Sequence, residues 1–224
     1  MTLDIESFER AIVRHCSPTL AGMKPGCLFN VPGTFAANTR EEPAARIVAW
    51  REAKRLCAQL DALVTQARNT LEPSGVTLRV IARRSCGALV YVYRPALLAQ
   101  TLLEPRCTAQ LKARGYTLEG PGMLEGALAR LARELERCHA GKAPYDFPHE
   151  VGFFLGYPYE DVMGFIEHEG RDFLCCGCWK VYAEQERAEA CFARFKRCTH
   201  AYEALLEMGA SIADLALVRI GTAA

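Results

Sequence analysis

Apolar residues recur every three or four positions at the start of the chain, which is the period of an amphipathic α-helix. The positions with this spacing are Ile5, Phe8, Ile12 and Cys16. The Ser17-Pro18 pair is predicted to end this helix, because proline has no backbone N–H to continue it. A loop and a short strand over residues 27–31 are predicted to follow.

A longer helix is predicted from Pro43 to near Glu72. Thr39 and Glu42 have the spacing of a capping box, and Pro43 suits the first helical turn. Its apolar stripe comprises Leu56, Leu60, Leu63, Val64, Ala67 and Leu71. A stripe of this kind faces a core, so this helix is expected to be scaffold.

Apolar and polar residues alternate over residues 76–84, which predicts a half-buried β-strand. Its apolar face is expected to carry Val76, Leu78, Val80 and Ala82. A second strand over residues 88–94 follows the turn Ser85-Cys86-Gly87 and stops at Pro95. The pattern therefore predicts a β-hairpin.

The rest of the chain alternates helices with breaks at glycine and proline. Helices are predicted over residues 96–103, 106–114 and 123–138, then two short ones before Gly156 and before Gly170, and a strand over 173–182. The sum is an α/β (α+β) protein, with a small mixed or antiparallel sheet of about four strands, a central hairpin and several amphipathic helices. One domain over residues 1–224 is expected, since this length buries a sizeable core.

Composition and charge limit which partners and which cellular compartment are expected. A formal net charge of +1 gives no field that favours nucleic acid or an anionic membrane. Charges interrupt every apolar run well before the roughly 18 residues of a membrane span. The amphipathic N-terminus resembles neither a signal nor a transit peptide, so a cytoplasmic protein with 11 reduced cysteines is expected.

The two short helices before Gly170 resemble a helix-turn-helix in outline, but their charge argues against DNA binding. Residues 145–172 contain seven acidic residues and one basic residue, Arg171. Such a segment would repel the phosphate backbone, which supplies most of the binding energy. No nucleic-acid partner is therefore expected.

Three residues are candidates for catalysis: Cys16 as a nucleophile, and His149 and Glu150 as acid–base groups. A histidine at a helix N-terminus tends to stay neutral, because the helix dipole there disfavours added positive charge. Cys16 lies near a helix C-terminus, where the negative end of the dipole would disfavour a thiolate. Structural alternatives stay open, with Cys16 as a core residue and His149 as a hydrogen-bonded histidine.

Ligand-binding candidates come from several distant segments: Lys24, Tyr93, Arg94, Tyr157, Trp179, Lys180 and Tyr182. Convergence of such polar groups would form one pocket with the catalytic candidates. Arg94 and Lys180 would hold an anionic group there. Solvated surface charge is the alternative for Lys24 and Arg94.

A metal or haem site is a further alternative, with Cys176, Cys178, His149 and His168 as possible ligands. No second C-x-x-C is present, and side chains two apart on a straight strand lie about 6–7 Å apart. Sulfurs on one metal must lie closer than that, unless Gly177 bends the strand.

With these residues identified, the chain resembles a bacterial family, the domain of unknown function 3793. The segments that carry the resemblance are HCSPTLAGMKPGCLFN, ALVYVYRP, FPHEVGFFLGYPYEDVMGFIEHEG and CGCWKVY. The family has no established activity, and its members are mostly proteins of anaerobic bacteria, some encoded near ferrous-iron transport and flavodoxin genes. The resemblance therefore implies an iron or redox context. Cys175 and Cys178 depart from the family pattern of one cysteine before Gly-x-Trp, which argues against a metal cluster shared by the family.

The expected function is a small-molecule enzyme or ligand-binding protein, whose single pocket combines a thiol, an imidazole and basic groups for a small anionic molecule. Metal or haem handling is the first alternative. The second is an interaction module that docks through the aromatic hairpin residues Phe153, Phe154, Tyr157 and Tyr159, which would otherwise be core.

Overall fold

The computed structural model describes residues 3–36, 43–139 and 147–217. The predicted capping box at Thr39 lies outside the described residues. The helices are α1 (Ile5–Leu20), α2 (Pro43–Leu71), α3 (Pro95–Leu102), α4 (Pro105–Ala113), α5 (Met123–His139), α6 (Val151–Phe154), α7 (Tyr159–Glu167), α8 (Gln185–Glu207) and α9 (Ile212–Leu217). The strands are β1 (Gly26–Val31), β2 (Thr77–Arg84), β3 (Gly87–Tyr93), β4 (Cys175–Cys176) and β5 (Lys180–Val181).

The described strands form two small antiparallel sheets. β3 lies between β1 and β2 in the larger sheet, and β4 pairs with β5 in the smaller one. The α/β class with a small antiparallel sheet is therefore confirmed. The predicted turn is one residue shorter, because Gly87 already pairs with Arg84 as the first residue of β3.

A β-bulge in β2 corrects the predicted alternation of that strand. The pairing register shifts between Val80 and Ala82, so Ile81 has no paired residue on β3. An extra residue reverses which face the following side chains occupy. Leu78 and Ala82 were predicted on one face, but they lie in different apolar cores.

The larger sheet separates two apolar cores. On one face, residues such as Val90 and Val92 pack with residues of α1, α2, α8 and α9. On the other face, Tyr91 and Tyr93 pack with residues of α3, α4, α5, α6 and α7. Both faces of β3 are covered, which explains its almost continuous apolar sequence.

The first helix does not end at Ser17-Pro18 as predicted, but continues to Leu20 with Pro18 inside it. The Ser17 hydroxyl donates to the carbonyl oxygen of Val13 at 2.5 Å. Thr19 and Leu20 are fully buried. Tertiary packing of this last turn outweighs the hydrogen bond that proline cannot donate.

Residues 173–182 form a tight hairpin and not the single strand that alternation predicted. Cys176 pairs with Lys180, and the Gly177 N–H donates to the carbonyl oxygen of Trp179 at 3.0 Å. The prediction of one continuous strand over residues 173–182 is therefore wrong. The reason is that the chain reverses at Gly177, so that β5 returns beside β4.

Candidate functional site

Tyr157, in the turn between α6 and α7, lies in the walls of three cavities. Its ring stacks on Trp179 with a centroid separation of 4.9 Å. The ammonium group of Lys24 lies 5.3 Å from the centre of the same ring. The Tyr157 hydroxyl donates to the carbonyl oxygen of Cys178 at 3.2 Å, which holds the ring against the β4–β5 hairpin.

The first cavity, which we call the aromatic cavity, has a volume of about 320 Å³. Aromatic rings form much of its wall, together with a few polar groups. Its lining residues are Phe147, His149, Val151, Gly152, Tyr157, Asp161, Val162, Phe165, Cys176, Gly177, Cys178, Trp179 and Lys180. The structure thus brings together His149, Tyr157, Trp179 and Lys180 from the predicted site.

Asp161 holds the hairpin wall of the aromatic cavity in place. Its carboxylate is buried at 3% exposure in the first turn of α7. One oxygen accepts from the Trp179 indole N–H at 2.7 Å, and the other accepts from the backbone N–H groups of Tyr182 and Ala183 at 2.7 and 3.0 Å. Asp161 thus positions Trp179, through contacts between elements that the sequence alone does not indicate.

His149 and Lys180 supply the polar groups of the aromatic cavity. The His149 imidazole lies between two rings, with centroid distances of 5.3 Å to Phe147 and 4.9 Å to Phe165. Burial lowers the pKa of His149 below its usual value, so this imidazole is neutral at neutral pH. The Lys180 ammonium donates to the carbonyl oxygen of Gly170 at 2.6 Å, so one of its donors is already engaged.

The second cavity, which we call the basic cavity, has a volume of about 440 Å³. Three cations, two histidines and two thiols line it, against one carboxylate. Its lining residues are Arg14, His15, Pro18, Lys24, Cys27, Tyr157, Cys178, Phe192, Phe195, Lys196, Thr199, His200 and Glu203. Of the predicted site, it contains Lys24 and Tyr157.

Cys27 is the thiol whose surroundings favour ionisation. A hydrogen bond from the Cys16 thiol, with the charge of Lys24 and the Leu28 N–H, lowers the pKa of Cys27 to about 7 in spite of burial. The neutral thiol donates to the carbonyl oxygen of His15 at 2.8 Å. Cys27 is half-buried on an edge strand and lines the basic cavity.

Cys16, the predicted nucleophile, is fully buried in the first core. Burial raises the pKa of Cys16 well above its usual value, and its hydrogen bond to Cys27 acts in the same direction. Cys16 and Cys27 therefore meet, but His149 lines the aromatic cavity and neither thiol does. Sequence reasoning missed Cys27, because its partners come together only in the fold.

Arg94, a predicted ligand-binding residue, binds backbone carbonyls of three other segments. Its guanidinium donates to the carbonyl oxygens of Thr19 at 2.8 Å, Ser74 at 2.9 Å and Ala216 at 3.1 Å, and also to that of Leu20. This arrangement ties together the ends of α1 and α9 and the turn before β2. In this arrangement Arg94 supports the fold.

Two further predicted residues lie within the second core. Glu150 is buried and accepts a hydrogen bond from the Tyr116 hydroxyl at 2.9 Å. Burial, with the charge of Glu150 as a smaller cause, raises the pKa of Tyr116 above its usual value. Tyr93 stacks on Tyr91 with a centroid separation of 4.9 Å. Neither Glu150 nor Tyr93 lines the aromatic or the basic cavity.

The predicted metal ligands are divided by the fold. His149, Cys176 and Cys178 line the aromatic cavity, whereas His168 stacks on Tyr182 at a centroid separation of 5.6 Å. Within residues 3–36, 43–139 and 147–217, no three His, Cys, Asp or Glu side chains are grouped to hold a metal ion.

The aromatic hairpin predicted as a docking surface is only partly accessible. Phe153 and Phe154 are fully buried in the second core. Tyr157 and Tyr159 are half-buried, and each ring has a cation close to it, Lys24 and Arg106 respectively.

Comparison with known proteins gives one match. No curated protein and no solved structure matches the chain. In the described part of the chain, no helix is both long and apolar enough to cross a membrane. The model of one protein family matches residues 12–216, and by this match the chain belongs to the family described as "Protein of unknown function (DUF3793)".

Proposed function

We propose that this protein binds a small anionic molecule in the basic cavity and presents the Cys27 thiol to it as the reactive group. The observation that carries the proposal is the position of the Cys27 side chain in the wall of a positively charged cavity. Cys27 lines a cavity together with the cations Arg14, Lys24 and Lys196 and the imidazole of His15.

The charges around the basic cavity favour an anion. Arg14, Lys24 and Lys196 oppose one carboxylate, Glu203. A ligand carboxylate or phosphate would gain charge-assisted hydrogen bonds from these donors. The same positive field stabilises a thiolate, so one arrangement serves both the ligand and the nucleophile.

His15 can act as a proton acceptor in this cavity. Burial is the largest cause that lowers the pKa of His15, and the nearby charge of Arg14 acts in the same direction. The imidazole is therefore neutral at neutral pH and free to take up a proton. The expected combination of a thiol, an imidazole and basic groups is thus proposed here with Cys27 and His15 in place of Cys16 and His149.

Two alkylating agents of similar size test the proposal, since iodoacetate is anionic and iodoacetamide is neutral. The reduced protein is treated with each, and alkylation of Cys27 is followed by peptide mass spectrometry. The exposed turn residue Cys86 is the internal reference. An added attraction of about 1.4 kcal/mol corresponds to a tenfold rate. We expect the ratio of the iodoacetate to the iodoacetamide rate to be about tenfold higher at Cys27 than at Cys86.

A matched pair of variants isolates the charge of the cavity. Lys24→Gln removes a cation from the cavity wall and is expected to lower the ratio at Cys27 several-fold. Lys112→Gln removes the same charge from α4, where Lys112 pairs with Glu119, and should leave the ratio unchanged. Equal ratios at Cys27 and Cys86 in the wild-type protein would contradict the proposal.

A further inference from the structure

We propose that Cys27 and Cys16 form a thiol–disulfide exchange pair that reduces a small disulfide carrying carboxylate groups. Cys27 would be the attacking thiol and Cys16 the resolving thiol. The inference rests on the proposed function, because the disulfide must first enter the basic cavity.

The two thiols differ in access. Cys16 on α1 lies in the first core, Cys27 on β1 packs against that core, and each side chain is close enough to shift the pKa of the other. Cys16 has 0% exposure, whereas Cys27 is half-buried and lines the basic cavity. A disulfide from solution can therefore meet Cys27 but not Cys16, and Cys16 can react only with a group already attached to Cys27.

The reaction balances with the small disulfide as oxidant. The Cys27 thiolate attacks one sulfur, a Cys27–ligand disulfide forms, and the other half leaves as a thiolate. The Cys16 sulfur then attacks the Cys27 sulfur and releases the second half, which takes the proton of Cys16. One molecule of disulfide becomes two molecules of thiol, and the two cysteines become one disulfide.

The electrostatic asymmetry of the pair agrees with this order of attack. An attacking thiol is most effective when its pKa lies near the ambient pH, and that of Cys27 is about 7. Burial raises the pKa of Cys16, so this thiol does not compete with Cys27 as the first nucleophile. Cys178 lines the same cavity, but burial raises its pKa as well.

The cations of the basic cavity select the kind of disulfide. Oxidised glutathione is a suitable probe, because it is small and carries several carboxylates. Arg14, Lys24 and Lys196 would hold those carboxylates while one sulfur faces Cys27. An uncharged disulfide of similar size is expected to react several-fold more slowly.

The experiment treats the full reduced chain with oxidised glutathione and maps disulfides in peptides digested without reduction. The wild-type chain is expected to give a Cys16–Cys27 disulfide and two molecules of glutathione per chain. Cys16→Ser should stop at a Cys27–glutathione adduct and release one molecule. Cys86→Ser, in the exposed turn between β2 and β3, is the matched control and should still give the Cys16–Cys27 product.

The wild-type map alone decides the outcome, so no variant has to fold for the test to succeed. A lasting Cys27–glutathione adduct beside a free Cys16 would overturn the inference, and so would a Cys27–Cys178 disulfide. In both cases Cys27 still reacts and the proposed function survives. Failure of Cys27 to react with oxidised glutathione, with its preference for iodoacetate retained, would overturn the inference alone. The proposed function falls only if that preference is also lost.

Discussion

Substitution of Asp161 tests whether one buried carboxylate holds the β4–β5 hairpin, and with it the aromatic cavity. Its oxygens accept from the Trp179 indole at 2.7 Å and from the backbone N–H groups of Tyr182 and Ala183 at 2.7 and 3.0 Å. A hydrogen bond to a charged group contributes about 1.5–3 kcal/mol. Asp161→Ala therefore removes three hydrogen bonds whose gross value is roughly 4.5–9 kcal/mol.

Only part of this amount should appear in the global free energy of unfolding. β4 and β5 have two residues each, and a hairpin of this size is not stable by itself. It is expected to detach before the two apolar cores unfold, as a local opening. We expect Asp161→Ala to lower the global unfolding free energy by about 2–4 kcal/mol. Asp161→Asn should cost about 2 kcal/mol, because its amide cannot accept from Trp179 as well as from the backbone.

The assay reports on Trp179 in a Trp50→Phe background, since Trp50 is the other tryptophan. Detachment of the hairpin should shift Trp179 emission towards that of a hydrated indole before the helical signal is lost in denaturant. Asp172→Asn is the matched control, because it removes a carboxylate that is 81% exposed beside the same hairpin. Native Trp179 emission and a change in unfolding free energy below about 0.5 kcal/mol in Asp161→Ala would refute the reasoning.

Two further predictions concern Arg94 and Cys27. Arg94→Lys should lower the free energy of unfolding, measured with urea, by about 2–4 kcal/mol, because lysine cannot donate to the carbonyl oxygens of several segments at once as the guanidinium does. A change below about 0.5 kcal/mol would contradict this role. The rate of Cys27 alkylation by iodoacetamide should rise with pH and reach half its maximum near pH 7, since the thiolate is the reactive form and the pKa of Cys27 is lowered to about 7. Free cysteine is the reference, and the same midpoint for both thiols would contradict the lowered pKa of Cys27.

The local pattern of apolar and polar residues was sufficient to predict the elements that depend mainly on their own side chains. The β2–β3 hairpin followed from alternation and a turn sequence, and α5 from its helical period, with ends within a residue or two. The hairpin at residues 173–182 did not follow, because its backbone donors bind the side chain of Asp161 on another element. Contacts with other elements also explain why α1 continues past Pro18, because tertiary packing holds its last turn.

The predicted site residues likewise fall into two groups, those from one stretch of sequence and those from distant segments. His149, Tyr157, Trp179 and Lys180 come from one stretch of sequence, and they line one cavity. Predicted residues from distant segments behave differently, since Tyr93 packs in the core and Arg94 binds backbone carbonyls. Residue type alone does not distinguish a cation that binds a ligand from one that binds the chain itself.

The role of Arg94 in the fold bears directly on the thiol pair. Its guanidinium binds the carbonyl oxygen of Thr19, three residues after Cys16, and its backbone N–H donates to that of Pro25 at 2.9 Å, two residues before Cys27. One residue thus holds both segments that carry the sulfurs. Thiol–disulfide exchange needs the resolving sulfur within reach of the attacking one at the moment a mixed disulfide forms. In the proposed exchange, the constraint that Arg94 imposes on both segments would keep the two sulfurs near each other, and a residue outside the basic cavity would contribute by fixing geometry.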